Sequence, residues 1–241
     1  MPSRQDSGAN RPHPDPDELL ATGAERLGVP LSPEQLLAFR TYRNEILRWA
    51  RSISLTALTR PDDIVRHGFL DALACTPLIP SGARRALDIG SGAGFPAIPI
   101  AIIRSDLELT LVEASRKKIS FLRHIVRLLA LPCVHPVLGR AEEIVERQAD
   151  AVATFDVVSA RAVGPLEKIG ALVLPFLRSG GVFLAQVGSG LETDTALARL
   201  FHPTGNARGC VGWDRAKPVS HRRRVGVRRG GGIRAFGAIP P

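Results

Sequence analysis

The sequence predicts an α/β fold, a mostly parallel sheet wrapped by helices, on three observations. From residue 86 onward, short apolar runs alternate with helix-period segments, the pattern of parallel β-α-β units. The first run opens into three glycines at alternate positions, Gly90, Gly92 and Gly94, in Ala86-Leu-Asp-Ile-Gly-Ser-Gly-Ala-Gly-Phe95. The next run, Leu107-Glu-Leu-Thr-Leu-Val-Glu113, ends on an acid 19 residues after Gly94. A glycine loop after the first strand and a carboxylate at the tip of the second hold a nucleotide-like ligand at the carboxyl ends of such strands.

The elements follow in order. Residues 1–16 are polar and proline-rich without an apolar core, and read as a disordered leader, not a secretory signal. Helices are expected over 17–29 and 33–51. The second has Ser32 as N-cap, Pro33 at the first helical position and Gln35 as a capping-box partner. Its stripe of Leu36, Phe39, Tyr42 (or Arg43), Ile46 and Trp49 is a packing face. A third helix is expected over 61–79, completing a helical layer over 17–80. Strand and helix then alternate through 81–200: strands 86–89, 107–113, 134–138, 155–159 and 181–187, with helices near 95–104, 116–130, 142–149, 165–177 and 191–201. Pro96 and Pro99 fit only in the first turn of their helix. After residue 200 the short apolar fragments make no strand of five residues, and 201–241 reads as an atypical Arg/Gly-rich tail.

Charge sharpens this division. The formal net charge is +9, yet residues 201–241 hold nine basic residues against one acid. The first 200 residues are therefore close to neutral. The tail reads either as an RNA-binding extension or as the product of a shifted reading frame. At 44% hydrophobic residues the chain can bury a sizeable core, and no apolar run is long enough to span a membrane. Cys75, Cys133 and Cys210 lack metal-ligand spacing and suit a reduced, cytoplasmic setting as ordinary thiols.

The glycine spacing bears on the ligand. A dinucleotide fingerprint needs a third glycine at position 95, where Phe95 stands. The G-x-G-x-G order, with Asp88 two residues ahead, resembles the S-adenosylmethionine loop of class I methyltransferases, whose fold is Rossmann-like. That ligand carries no phosphate, so no anion cradle is required.

Further segments resemble one family in particular. Asp88-Ile-Gly-Ser-Gly-Ala-Gly-Phe-Pro96, Glu113, Gly139-Arg-Ala-Glu-Glu143 and Ser159-Ala-Arg161-Ala162 look like the RsmG/GidB family, as do Trp49-Ala-Arg-Ser-Ile-Ser-Leu-Thr-Ala57 and Phe69-Leu-Asp-Ala72. The resemblance covers roughly residues 18–190. It implies methyl transfer from S-adenosylmethionine to N7 of a guanosine in the 530 loop of 16S rRNA, by a cytoplasmic monomer acting on rRNA or the small ribosomal subunit, with no metal and no membrane. It also implies roles. Gly90, Ser91, Gly92 and Gly94 admit the methionine end; Asp88 fixes the loop or meets the amino group. Phe95 packs near the cofactor, Glu113 accepts from the ribose hydroxyls, and Ala141 and Glu142 flank adenine. Arg161, at the end of the fourth strand, is expected at the reacting centre and against the cofactor. Lys117 and Lys118 lie near the same face.

The chain departs from the pattern in places. Ser54 replaces an asparagine, and Gly68 separates His67 from Phe69-Leu-Asp. Ser159-Ala-Arg161 is one residue longer than the family's Ser-Arg-Ala, and Gln186 stands where a lysine precedes glycine. Two other readings stay open: a class I methyltransferase for a different substrate, and an inactive chain with an altered C-terminus. A dehydrogenase is the weakest, because of Phe95.

Overall fold

The computed structural model describes residues 15–147, 153–161, 166–186, 201–207 and 210–215. Residues 1–14 of the leader, residues 191–200 of the expected last helix and residues 216–241 lie outside the described residues.

Seven strands form one sheet in the order β3-β2-β1-β4-β5-β7-β6. The first five, β1 (Arg85–Ile89), β2 (Glu108–Glu113), β3 (Val134–Leu138), β4 (Phe155–Arg161) and β5 (Leu177–Gln186), run parallel. β6 (Phe201–Ala207) and β7 (Cys210–Arg215) form an antiparallel hairpin, with β7 paired to β5. The strand order reverses between β1 and β4, so a crevice opens at the carboxyl ends beside β1.

Period-two burial fixes what each face carries. Ala86, Leu109, Leu111, Val157 and Leu184 point to one side, where α5 (Ala97–Ile103) and α6 (Arg116–Leu128) pack. Leu87, Ile89, Val112, Val158 and Phe183 point to the other, where α7 (Ala141–Arg147) and α8 (Leu166–Val173) pack. The N-terminal helices share the first core: Leu20, Phe39, Tyr42 and Phe69 are buried with it. α1 (Pro16–Arg26) and α2 (Pro33–Ala50) are thus a third layer on one face of the sheet.

The start of α2 is built as expected. Ser32 Oγ accepts from Gln35 N at 3.3 Å, and Gln35 Oε1 accepts from Ser32 N at 2.9 Å. Gln35 also donates to the Ile102 carbonyl at 3.3 Å, tying the helix start to the end of α5. Arg43, nearly buried on α2, reaches Asp17 on α1 at 2.6 Å. The Asp17 carboxyl sits below its ordinary value. Burial opposes this, but the Arg43 and Arg40 guanidinium groups outweigh it.

Three expectations need correction. The single helix at 61–79 is composite: α3 (Pro61–Asp63), a π-helical segment (Ile64–Leu70), α4 (Asp71–Leu73) and a separate 3₁₀ turn (Thr76–Leu78). Its π segment, whose turns are wider than those of an α-helix, contains Gly68. Second, 201–241 is not without strands. β5 is buried on both faces from Val182 to Ala185, and its outer edge needs a partner for its backbone groups. β7 meets that need in the register Ala185↔Val211 and Phe183↔Trp213. Pro203 sits on β6, the edge strand, beside an irregularity between Pro203 and Gly205, where a missing N–H is tolerated. Third, the cysteines are not three equivalent thiols. Cys133 is free, whereas the buried Cys75 is disulfide-bonded, with its partner outside the described side chains.

Candidate active site at the glycine loop

The loop after β1 is held by its own backbone. Gly90 N and Ser91 N both donate to the Val112 carbonyl, at 2.9 and 3.1 Å, and Gly94 N donates to Ser91 O at 2.6 Å. Gly92 N donates to Glu113 Oε2 at 2.8 Å. The loop thus spends these four N–H groups internally. An anion cradle needs such donors free, so the loop is unsuited to a pyrophosphate.

Two of the glycines serve different ends. Gly92 has φ +57°, and a Cβ there would meet nothing closer than the Gly90 carbonyl oxygen at 3.8 Å. The space above it is open to a ligand. Gly94 has φ +96°, and a Cβ would strike Ile98 Cγ1 at 2.6 Å and the Tyr42 hydroxyl at 2.7 Å. Here the missing side chain admits α5 and Tyr42 to the loop, a packing requirement. Tyr42 Oη donates to the Ala93 carbonyl at 2.5 Å, so α2 fixes the loop from below.

Glu113 is neither a solvated strand end nor a freely exposed acceptor. It is 8% exposed, and its second oxygen accepts from Ser115 N at 2.8 Å. One carboxylate therefore joins the glycine loop, the tip of β2 and the start of α6. Each oxygen keeps a second lone pair for a hydroxyl donor. Asp88 is wholly buried and accepts from Ser159 Oγ at 2.7 Å. It joins β1 to β4 beneath the loop. Ser91, also buried, donates to the Asp88 carbonyl at 3.1 Å.

A cavity of about 430 Å³ lies above the loop. Gly90, Ser91, Gly92, Ala93 and Phe95 form one wall; Leu55, Thr56, Ala57, Leu58 and Lys118 form the other. A second cavity, about 320 Å³, lies beyond the tips of β2 and β3, lined by Ala114, Arg116, Leu138, Gly139, Arg140 and Glu143. Glu142 is exposed and Ala141 is buried in the opposite core. It is their neighbours Arg140 and Glu143 that reach this second space. Phe95 belongs to an aromatic cluster, with ring centroids 5.7 Å from Tyr42 and 6.0 Å from Phe69. Arg161 ends β4 opposite Gln186, at the same edge of the sheet as the loop. Its side chain lies outside what the structure describes.

The segment Leu55–Leu58 and Tyr42 are site residues to which the motifs assign no role. Leu55-Thr56 is visible in the sequence only as part of a family segment, because its place opposite the loop depends on how α2 packs. Three cations, Arg116, Lys117 and Lys118, occupy the first turn of α6 without an acid. The helix dipole disfavours them there, and among the described residues they form no ion pair. Among the described residues there is also no cluster of His, Cys, Asp or Glu suited to a metal ion, and no helix is long and apolar enough to cross a membrane.

Comparison with known proteins places this geometry. Residues 35–200 match the family model described as rRNA small subunit methyltransferase G, GidB. The chain is 38% identical over 182 residues to the Ribosomal RNA small subunit methyltransferase G of Geotalea uraniireducens, covering 76% of this chain and 81% of that one. It is 41% identical over 184 residues to the protein of that name from Roseiflexus castenholzii, covering 76% and 78%. A Caldanaerobacter subterraneus relative of the same name is 38% identical over 181 residues, covering 73% of each.

Proposed function

The chain belongs to the rRNA small subunit methyltransferase G family, and from that premise we propose that it methylates N7 of a guanosine in the 530 loop of 16S rRNA. The protein is an S-adenosylmethionine-dependent rRNA methyltransferase of class I fold. The observation that carries the acceptor atom is the lining of the cavity. Among its described lining residues there is no carboxylate and no imidazole. Guanine N7 bears an in-plane lone pair and no proton, so its alkylation needs no general base. Methylation of an exocyclic amine or a hydroxyl would need a proton acceptor.

The residues fit the cofactor by their donor set and by space. The loop has spent the N–H groups of Gly90, Ser91, Gly92 and Gly94, which suits a zwitterionic or cationic ligand better than a phosphate. The open side of Gly92 leaves room beside it. When bound, S-adenosylmethionine supplies an electrophilic methyl group on a sulfonium. Glu113 takes the ribose hydroxyls on its remaining lone pairs. Asp88 and Ser91 hold the loop in shape, and Phe95 closes the cavity wall. Ala141 and Glu142 bound the adenine side through the turn that also carries Arg140 and Glu143. Alignment of acceptor and methyl is the main contribution left to the protein, and is worth up to about 7–11 kcal/mol in well-oriented systems. Arg161 fixes guanine O6 or a neighbouring phosphate in its planar fork. Lys117 and Lys118 face the RNA, and the enzyme works in the cytoplasm as a monomer on the small subunit.

Methyl transfer to small subunits lacking the modification, by wild-type and Arg161→Ala protein, tests this reading. Transfer is expected to require rRNA and to fall by about 10²-fold or more in the variant, in the range seen when a donor to the transition state is removed. Transfer that is independent of RNA, or untouched by Arg161→Ala, would contradict it.

A further inference from the structure

Gly68, in the third helical segment, packs against the glycine loop at Phe95. Gly68 lies within the π-helical turn Ile64–Leu70 and is buried. A Cβ built on it would stand 2.7 Å from Phe95 Cζ and 2.8 Å from Phe95 Cε1. Real Cβ atoms do not approach aromatic carbons so closely, so helix backbone and ring are in direct contact here and only glycine permits it. The Phe95 ring is confined on other sides by Tyr42 and Phe69. Phe95 is also one of the residues that line the cavity above Gly90–Ala93.

We propose that Gly68 is a positioning residue for cofactor binding: the widened turn lays bare backbone under the Phe95 ring and thereby sets the wall of the cavity. The proposal rests on the methyltransferase reading of that cavity. A methyl group at position 68 cannot push the ring into Tyr42 or Phe69, which are wholly buried in a packed core. Displacing the ring therefore displaces the cavity wall that Phe95 forms. His67, the neighbouring residue, is exposed and lies 3.7 Å from Asp71 on its own helix. Gly68, and not His67, is therefore the residue that meets Phe95 through its backbone.

The test is titration of the full chain with S-adenosylhomocysteine by calorimetry, with the thermal midpoint measured alongside. Gly68→Ala is expected to weaken binding by about tenfold or more, in line with the effect of an ångström-scale misplacement. Phe95→Leu in the Gly68→Ala background is expected to recover binding, since the shorter side chain removes the clash. Gly82→Ala, where an added Cβ meets nothing within 4 Å, is expected to bind as wild type. A Gly68→Ala protein with wild-type affinity would overturn the proposal, and so would a loss that Phe95→Leu does not relieve. If Gly68→Ala does not fold, the double variant carries the test. A double variant that folds and binds assigns the clash to the ring, and one that fails as well overturns the proposal. A wild-type chain that binds no S-adenosylhomocysteine would overturn the methyltransferase reading itself, and this inference with it.

Discussion

Glu113 ties the glycine loop, the end of β2 and the start of α6 through a single carboxylate. Its two oxygens accept from Gly92 N and Ser115 N, both at 2.8 Å. Glutamine at this position must turn an amide NH₂ towards one of those N–H groups. Glu113→Gln is therefore expected to lower stability by about 1–3 kcal/mol, the cost of a buried unsatisfied donor, and to weaken S-adenosylhomocysteine binding in the same titration. Urea denaturation and calorimetry check the two effects; an unchanged midpoint would show that the loop does not depend on this tie. Tyr42→Phe removes the hydroxyl that holds the Ala93 carbonyl, and should cost about 1 kcal/mol by the same denaturation measurement. The acid at position 113 was legible from the end of an apolar run. That it turns inward was not, because its donors come from a loop and a helix start that only the fold brings together. Gly94 was legible as a glycine of the loop, yet its packing against Tyr42 depends on a helix far earlier in the chain.

At the scale of elements, the amino ends of the strands carry their own clamp. Asp156, at the start of β4, accepts from Arg84 N and Arg85 N at 2.7 and 2.8 Å and pairs with Arg178 at 2.5 Å. It thereby joins β1, β4 and β5. Burial pushes its carboxyl up, but the two backbone donors and the guanidinium outweigh burial and hold it below its ordinary value of 3.8. A depressed carboxylate contributes stability above its unfolded value and loses it as pH falls through the folded one. The urea midpoint should thus decline as pH drops below about 3.8, and Asp156→Asn should be less stable at pH 7 with a flatter acid dependence. Equal acid dependence in both proteins would remove Asp156 from this role. The C-terminal hairpin gives a second prediction. Ending the chain at residue 200 strips β7 from β5 and leaves an apolar edge exposed. Light scattering should detect association of the truncated chain, whereas a monodisperse product would show that β5 does not need its partner. The alternating helices and strands were legible because each carries its own periodicity. β6 and β7 were not: Gly205, Gly212 and Pro203 depress their propensity, and pairing to β5 supplies what local sequence lacks.

The whole molecule separates its charges by edge. At the amino ends of the strands the basic residues are paired: Arg84 and Arg104 with Asp106, Arg85 with Glu108, and Arg178 with Asp156. At the carboxyl ends Arg116, Lys118 and Arg140 line the two cavities, Lys117 stands in the same helical turn, and none of the four has an ion-pair partner among the described residues. The excess of positive charge in the sequence lies in residues 201–241; the fold shows that cations without an ion pair among the described residues also border the site. RNA binding should weaken with salt. Arg116→Ala or Lys117→Ala should each reduce the slope of log affinity against log salt by about one. Unchanged slopes would put the RNA elsewhere on the surface. The central claim is the identity of the methylated atom. The most direct measurement is to supply tritium-labelled S-adenosylmethionine and unmodified small subunits to the full chain, then to digest the rRNA to nucleosides and map the label. Recovery of the label as 7-methylguanosine from the 530 loop is the predicted result. Label in any other nucleoside, or no transfer by a protein that binds S-adenosylhomocysteine, would contradict the account.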